Sequence, residues 1–114
     1  MKTSELIGPA LDWAVTTIEE PEALRYGIED WKEQRRHKVV EGHYTHRYHQ
    51  VWQQGGPIIE RERIELHEDE GTSWAAFMWN GGVCKFGPTP LVAAMRCYVA
   101  SKLGDEVDVP EELL

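Results

Sequence analysis

Gly87-Pro88-Thr89-Pro90-Leu91 runs into Val92-Ala93-Ala94-Met95-Arg96-Cys97-Tyr98-Val99-Ala100-Ser101-Lys102-Leu103-Gly104, and this stretch specifies a helix almost to the residue. Thr89 is a capping residue whose hydroxyl can accept from an orphan N–H. Pro90 suits the first helical position, where a missing N–H costs nothing. Gly104 supplies the residue of positive φ that stops the helix. The spacing predicts a helix over about 89–103, with Val92, Met95, Val99 and Leu103 on one face. Ala93, Ala94 and Ala100 allow a neighbouring element to approach closely. The positive end of this helix follows a Gly-Pro turn, so it is either a well-capped terminus or a seat for an anion.

Reading outward from it, Val83 to Phe86 is a short extension and Asn80-Gly81-Gly82 a turn signal. Ser73 to Trp79 reads as a strand carrying Trp74, Phe77 and Trp79, and Arg63 to His67 alternates with Ile64 and Leu66 on one side. Joined through the acidic turn Glu68 to Thr72, the two form an antiparallel hairpin. Gly55-Gly56-Pro57 reads as a turn, with Pro57 opening a short helix over Ile58 to Glu62. In the N-terminal half, Gly8-Pro9 opens a helix over about residues 9–20, its inner face Ala10, Trp13, Ala14, Thr17 and Ile18, and Pro21 ends it. Glu22 to Arg36 is a weaker helical segment interrupted by Gly27. Lys38 to Tyr44, with Val39 and Val40, reads as a strand. The fold class is α+β: a small antiparallel sheet packed against two or three helices, with a long C-terminal helix.

The Gly-Pro-Thr-Pro-Leu block and the Ala-Ala-Met-Arg-Cys-Tyr-Val-Ala-Ser-Lys-Leu-Gly that follows resemble the C-terminal signature of the NinX-type accessory proteins of tailed phages. Two further blocks agree in order and spacing: Trp52-Gln53-Gln54-Gly55-Gly56-Pro57-Ile58-Ile59-Glu60-Arg61-Glu62, and Thr3 to Leu6 through Leu11-Asp12-Trp13-Ala14-Val15. Together they cover about half of the chain. Family members often carry Tyr-Ser-Thr-Asp/Asn before the Trp of the Gly-Gly-Pro block, where this chain has Tyr48-His49-Gln50-Val51. Glu22 to His46 matches nothing in the family pattern and reads as a variable insertion within a single domain, 1–114. The resemblance implies a phage origin and an accessory role; it implies no particular activity.

At 114 residues the chain can bury one modest core, helped by five Trp, four Tyr and two Phe. Its formal charge of −8, from 20 acidic against 12 basic residues, disfavours non-specific binding to nucleic acid or anionic membrane, which rests on Lys and Arg neutralising phosphates. Arg25, Lys32, Arg35, Arg36, His37 and Lys38 nevertheless crowd the middle, while Asp105 to Leu114 is acidic. No apolar run of 18 residues is present, so no membrane span is expected, and the N-terminus has no signal-peptide pattern. The expected setting is the host cytoplasm, with Cys84 and Cys97 as reduced thiols.

His43, His46 and His49 recur at spacing three and could present imidazoles to a metal if helical. On a strand His46 would face away from the other two, so metal binding is the weaker alternative, and neither metal nor cofactor is expected. Tyr44, Arg47, Tyr48 and Trp52 offer stacking faces and cations suited to a nucleobase or phosphate. Gly55 and Gly56 allow backbone N–H groups to approach a ligand. Arg61 lies in the charged run Glu60-Arg61-Glu62-Arg63, which reads equally as a solvated face. Arg96 borders the buried face of the C-terminal helix, so it needs a partner. That partner is either an internal carboxylate, Asp12 or Glu60, or an anionic ligand gripped by the planar guanidinium. No Gly-x-Ser-x-Gly, P-loop or zinc-hydrolase helix is present.

These readings point to non-enzymatic binding of a small anionic, nucleotide-like ligand, such as a host defence signal to be sequestered. The expected ligand-binding residues are Tyr48, Trp52, Gly55, Gly56, Arg61, Thr89 and Arg96. The alternative is a protein–protein interaction module that inhibits or recruits a host factor, with a homodimer as a further option.

Overall fold

The computed structural model describes residues 1–40 (37–40 in backbone only), 45–71, 73–78 and 84–114. Among the described residues four α-helices, α1 (Gly8–Glu19), α2 (Ile28–Val40), α3 (Trp52–Glu62) and α4 (Pro90–Leu103), accompany the strands β1 (Ile64–Asp69), β2 (Ser73–Met78) and β3 (Cys84–Gly87). The strands form an antiparallel sheet in the order β1-β2-β3. Register pairs Ile64 with Met78 and Leu66 with Ala76 across the hairpin, and Ala75 with Phe86 across β2 and β3. The fold is therefore α+β, and the extension before the last helix is a third strand.

α4 is the centre of the molecule. It packs on all three strands, on α1 and on α3. Thr89 Oγ1 accepts from Val92 N at 3.1 Å, Pro90 opens the helix, and Gly104 ends it at φ 90°. Val92, Met95 and Val99 are buried, as are Leu91, Ala93, Ala94, Cys97 and Tyr98, so the helix is enclosed on most sides. Leu103, expected on the same inner face, is 45% exposed because it lies in the last turn, beyond the sheet. α1 buries Ala10 and Ala14 as the pattern requires, but Leu11 and Val15 are its deepest apolar residues, and Trp13, Thr17 and Ile18 are half-buried. The inner stripe is thus rotated by about one residue, because α1 faces α4 on one side and α2 on another.

Residues 38–40, expected to begin a strand, instead finish α2. The β-branched pair Val39-Val40 is a weak local signal against a helix already anchored by Trp31 and Arg35 at helical spacing. Trp31 is fully buried, donates from Nε1 to Thr16 Oγ1 at 3.2 Å and packs edge-on against Trp13. The rest of the expected strand, 41–44, lies outside the described residues, as do Trp79 and the Asn80-Gly81-Gly82 turn.

The expected Gly55-Gly56-Pro57 turn is also corrected: all three residues sit inside α3, which begins five residues earlier than expected. Packing overrides the local breakers there. A Cβ at Gly55 would stand 2.5 Å from Leu91 Cδ2 and 2.5 Å from the Tyr48 carbonyl oxygen. Glycine is what lets α3 lie directly against the first turn of α4. Arg63, in the left-handed conformation at φ 55°, closes the helix.

Candidate functional site

A cavity of about 450 Å³ lies where three helices begin. Ile7 and Gly8 bring the start of α1 to it, Trp52 the start of α3 with Gln50 from the turn before it, and Thr89, Pro90, Leu91 and Val92 the start of α4. Its size is that of an ordinary small-molecule site. Neither the residue before α1, Ile7, nor the one before α3, Val51, caps its helix with a side chain. The first backbone N–H groups of a helix have no intrahelical partner, and the aligned peptide dipoles give that end a partial positive charge. Three helix ends around one cavity, two without a side-chain cap and that of α4 capped by Thr89, favour a negative group within it. Pro88, Pro90, Leu91, Val92 and Ile7 make the walls largely apolar, and Trp52, 54% exposed, offers an indole face.

The polar side chain with the firmest support is His49. Its Nδ1 lies 2.7 Å from Asp12 Oδ1, and its backbone N–H donates to the same oxygen at 3.0 Å. Asp12 is fully buried, and its second oxygen accepts from Arg35 Nη2 at 2.8 Å. Arg35, itself buried, stacks its guanidinium 4.9 Å over the Trp31 ring, and its Nε donates to the His46 carbonyl at 3.3 Å. Burial pulls the Arg35 pKa down, and the Asp12 carboxylate opposes that shift. Residues 12, 35 and 49, from three separate segments, thus form one buried chain ending at the cavity.

Of the residues expected to bind ligand, Trp52 and Thr89 line this cavity. Gly55 lies directly against Leu91 of its wall, and Gly56 packs near Trp52, a Cβ there standing 3.8 Å from Trp52 Cε3. The other three have structural partners. Tyr48 is buried, and its hydroxyl donates to Glu20 Oε2 at 2.5 Å. Arg61 pairs with Glu19 through Nη2 at 2.6 Å and with Glu62 through Nε at 2.8 Å, and it donates to the Tyr98 hydroxyl. These bonds hold Arg61 charged far above neutral pH and keep the Glu19 and Glu62 carboxyls below the usual carboxylate range.

Arg96 pairs with backbone carbonyls, not with the internal carboxylate expected as one alternative for it. Its Nε donates to the Leu6 carbonyl at 2.7 Å and its Nη1 to the Phe86 carbonyl at 2.8 Å, and burial alone lowers its pKa. Asp12, a candidate partner, belongs to Arg35, and Glu60, the other, is exposed. Arg96 is a clip: it holds the segment leading to Ile7 and Gly8 against the strand leading to Pro88, and so fixes two walls of the cavity from behind.

Among the described residues no group of three His, Cys, Asp or Glu side chains is placed to hold a metal. His43 lies outside them. His46 is buried at φ 56°, with Nε2 2.8 Å from Gln34 Oε1 and its ring beside Trp31 and Tyr48. Burial lowers its pKa against the pull of Glu20, so the ring is neutral at pH 7. Cys84 is half-buried and Cys97 buried, and burial pushes the Cys97 thiol up to about 11. Among the described residues no helix is long and apolar enough to cross a membrane.

The constellation that sequence reasoning missed is Asp12–Arg35–His49. Its one visible trace is the Tyr48-His49-Gln50-Val51 segment, where the chain departs from the pattern of the proteins it resembles. No curated protein matches the chain. A family model, described as bacteriophage P22 NinX, matches residues 2–102, nearly the whole of the folded unit. The chain belongs to the NinX family of phage proteins.

Proposed function

We propose that this phage accessory protein captures a small anionic ligand bearing a flat ring, nucleotide-like in chemistry, in the cavity at the three helix starts, and holds it without transforming it. The observation that carries the reading is the convergence itself. Three positive helix ends, an indole face and a supported imidazole surround one apolar space of about 450 Å³. Trp52 gives a ring something to stack on, and stacking of a base on an aromatic side chain is worth roughly 1–3 kcal/mol. The net charge of −8 leaves the rest of the surface unattractive to polyanions, which suits a small ligand better than nucleic acid. Acting in the infected host cytoplasm, such a protein would lower the free concentration of a nucleotide signal, including one raised in host defence.

The test is capture and release. Purified protein is mixed with a panel of mononucleotides and cyclic dinucleotides, freed of unbound material and then heated. Recovery of an intact nucleotide from the heated sample supports capture. Recovery of a cleaved product would replace it with catalysis, and no retention of any member would remove the reading.

A second reading rests on the other side of the sheet. Phe77 and Phe86 are 38% and 52% exposed there, on paired strands. This apolar face suits an interaction module for a host protein.

A further inference from the structure

Stacking and helix ends would hold many flat anions; the side chain able to single out a phosphate is His49. Its ring is fixed by two bonds to one carboxylate oxygen, Nδ1 at 2.7 Å and the backbone N–H at 3.0 Å from Asp12 Oδ1. An ionised carboxylate can only accept, so Nδ1 carries the proton. Nε2, across the ring, is then the atom left to meet a ligand, since the ring lines the cavity with its side chain 15% exposed. In the neutral imidazole Nε2 presents a lone pair, which repels an anionic oxygen.

We propose that His49 is the phosphate-reading residue of the cavity: a phosphate monoester docks on its Nε2 with uptake of one proton, while Asp12 holds the ring from behind. The inference rests on the cavity being the ligand site. Without ligand, the Asp12 carboxylate is already matched by Arg35 at 2.8 Å. A bound phosphate adds a second negative group on the open side of the ring. The ring then lies between two anions, and one proton shared between Nε2 and a phosphate oxygen turns repulsion into a charge-assisted hydrogen bond. The ring has charged neighbours among the described residues. Asp12 faces it from α1, with Arg35 of α2 behind that carboxylate, and Arg47 lies on its own segment with Nη1 3.5 Å from Gln50 Oε1. The parts of α3 and α4 that line the cavity add no titratable side chain.

The experiment is calorimetric titration with AMP and with adenosine, between pH 7.5 and 8.5, in buffers of different ionisation heat. Free AMP is a dianion there, because a phosphate monoester loses its second proton near pH 6. The proposal expects uptake of about one proton per AMP bound, and a Kd that rises about tenfold per pH unit. Adenosine should bind more weakly and without proton uptake. In His49→Gln the preference for AMP over adenosine should collapse together with the pH dependence. AMP binding without proton uptake would overturn the role given to His49 while leaving the cavity as the ligand site. Binding of neither compound at any pH would overturn both. Should His49→Gln fail to fold, the proton count of the unaltered protein decides alone.

Discussion

Gly55 and Gly56 are adjacent in one helix, and alanine at the two positions should act in opposite directions. At Gly55 a Cβ would lie 2.5 Å from both Leu91 Cδ2 and the Tyr48 carbonyl oxygen, about 0.9 Å inside ordinary contact at 3.4 Å. The leucine methyl can rotate away, but the carbonyl belongs to the backbone, so α3 must shift. Overpacking of this kind costs roughly 1–3 kcal/mol, against a gain of about 1 kcal/mol from replacing glycine by alanine within a helix. The net expectation for Gly55→Ala is a loss of up to about 2 kcal/mol, which lowers Tm by up to roughly 8 °C in a domain of this size. At Gly56 the nearest atom is Trp52 Cε3 at 3.8 Å, an ordinary contact. Gly56→Ala should therefore gain about 0.5–1 kcal/mol. Thermal melting of both variants, with urea titration as a check, makes the comparison. A gain for Gly55→Ala equal to that of Gly56→Ala would refute the close packing of Gly55 on Leu91 and the Tyr48 carbonyl.

Arg35→Met should lower stability by roughly 3–5 kcal/mol, because it leaves the buried Asp12 carboxylate without its cation; melting that stays within a degree or two would show that Asp12 is satisfied otherwise. Arg96→Met removes both donors from the Leu6 and Phe86 carbonyls and should cost about 1–3 kcal/mol, read by denaturant titration; a neutral or stabilising result would return Arg96 to the ligand-binding set. The lowered pKa of His46 sets a pH dependence. Folding holds this ring neutral, whereas the unfolded chain protonates it near pH 6.5, so its contribution is full above that pH and is lost as pH falls through the lower folded value. Melting temperature should thus drop from pH 7.5 to 5.5 more steeply in the unaltered protein than in His46→Gln, and parallel slopes would contradict the assignment.

The parts legible in the sequence are those whose signals are local. α4 announces itself through Thr89, Pro90 and Gly104, each acting within a residue or two of its own position. The hairpin follows from alternation around an acidic turn. α3 was hidden because Gly55-Gly56-Pro57 carries the local chemistry of a turn, and the reason for a glycine there, the Tyr48 carbonyl and Leu91, lies in other elements. The same holds for the site. Trp52 and Thr89 stand out by residue type and neighbourhood, and the cavity does bring them together. Asp12, Arg35 and His49 are separated by 23 and 14 positions, so no spacing rule links them. Arg35 lies in the basic cluster that crowds the middle of the chain, and nothing local marks it off from Lys32 or Arg36, although it is buried against Trp31.

The decisive observation is where a ligand lands. A ¹⁵N–¹H correlation spectrum of the labelled protein, recorded as AMP is added at pH 6, reports every backbone amide and the indole N–H groups together. Shifts should concentrate at Gly8, Gln50, Trp52, Leu91 and Val92, the starts of α1, α3 and α4 around His49. Shifts confined to the Phe77 and Phe86 face, or a spectrum unchanged at millimolar AMP, would contradict a ligand site at the three helix ends.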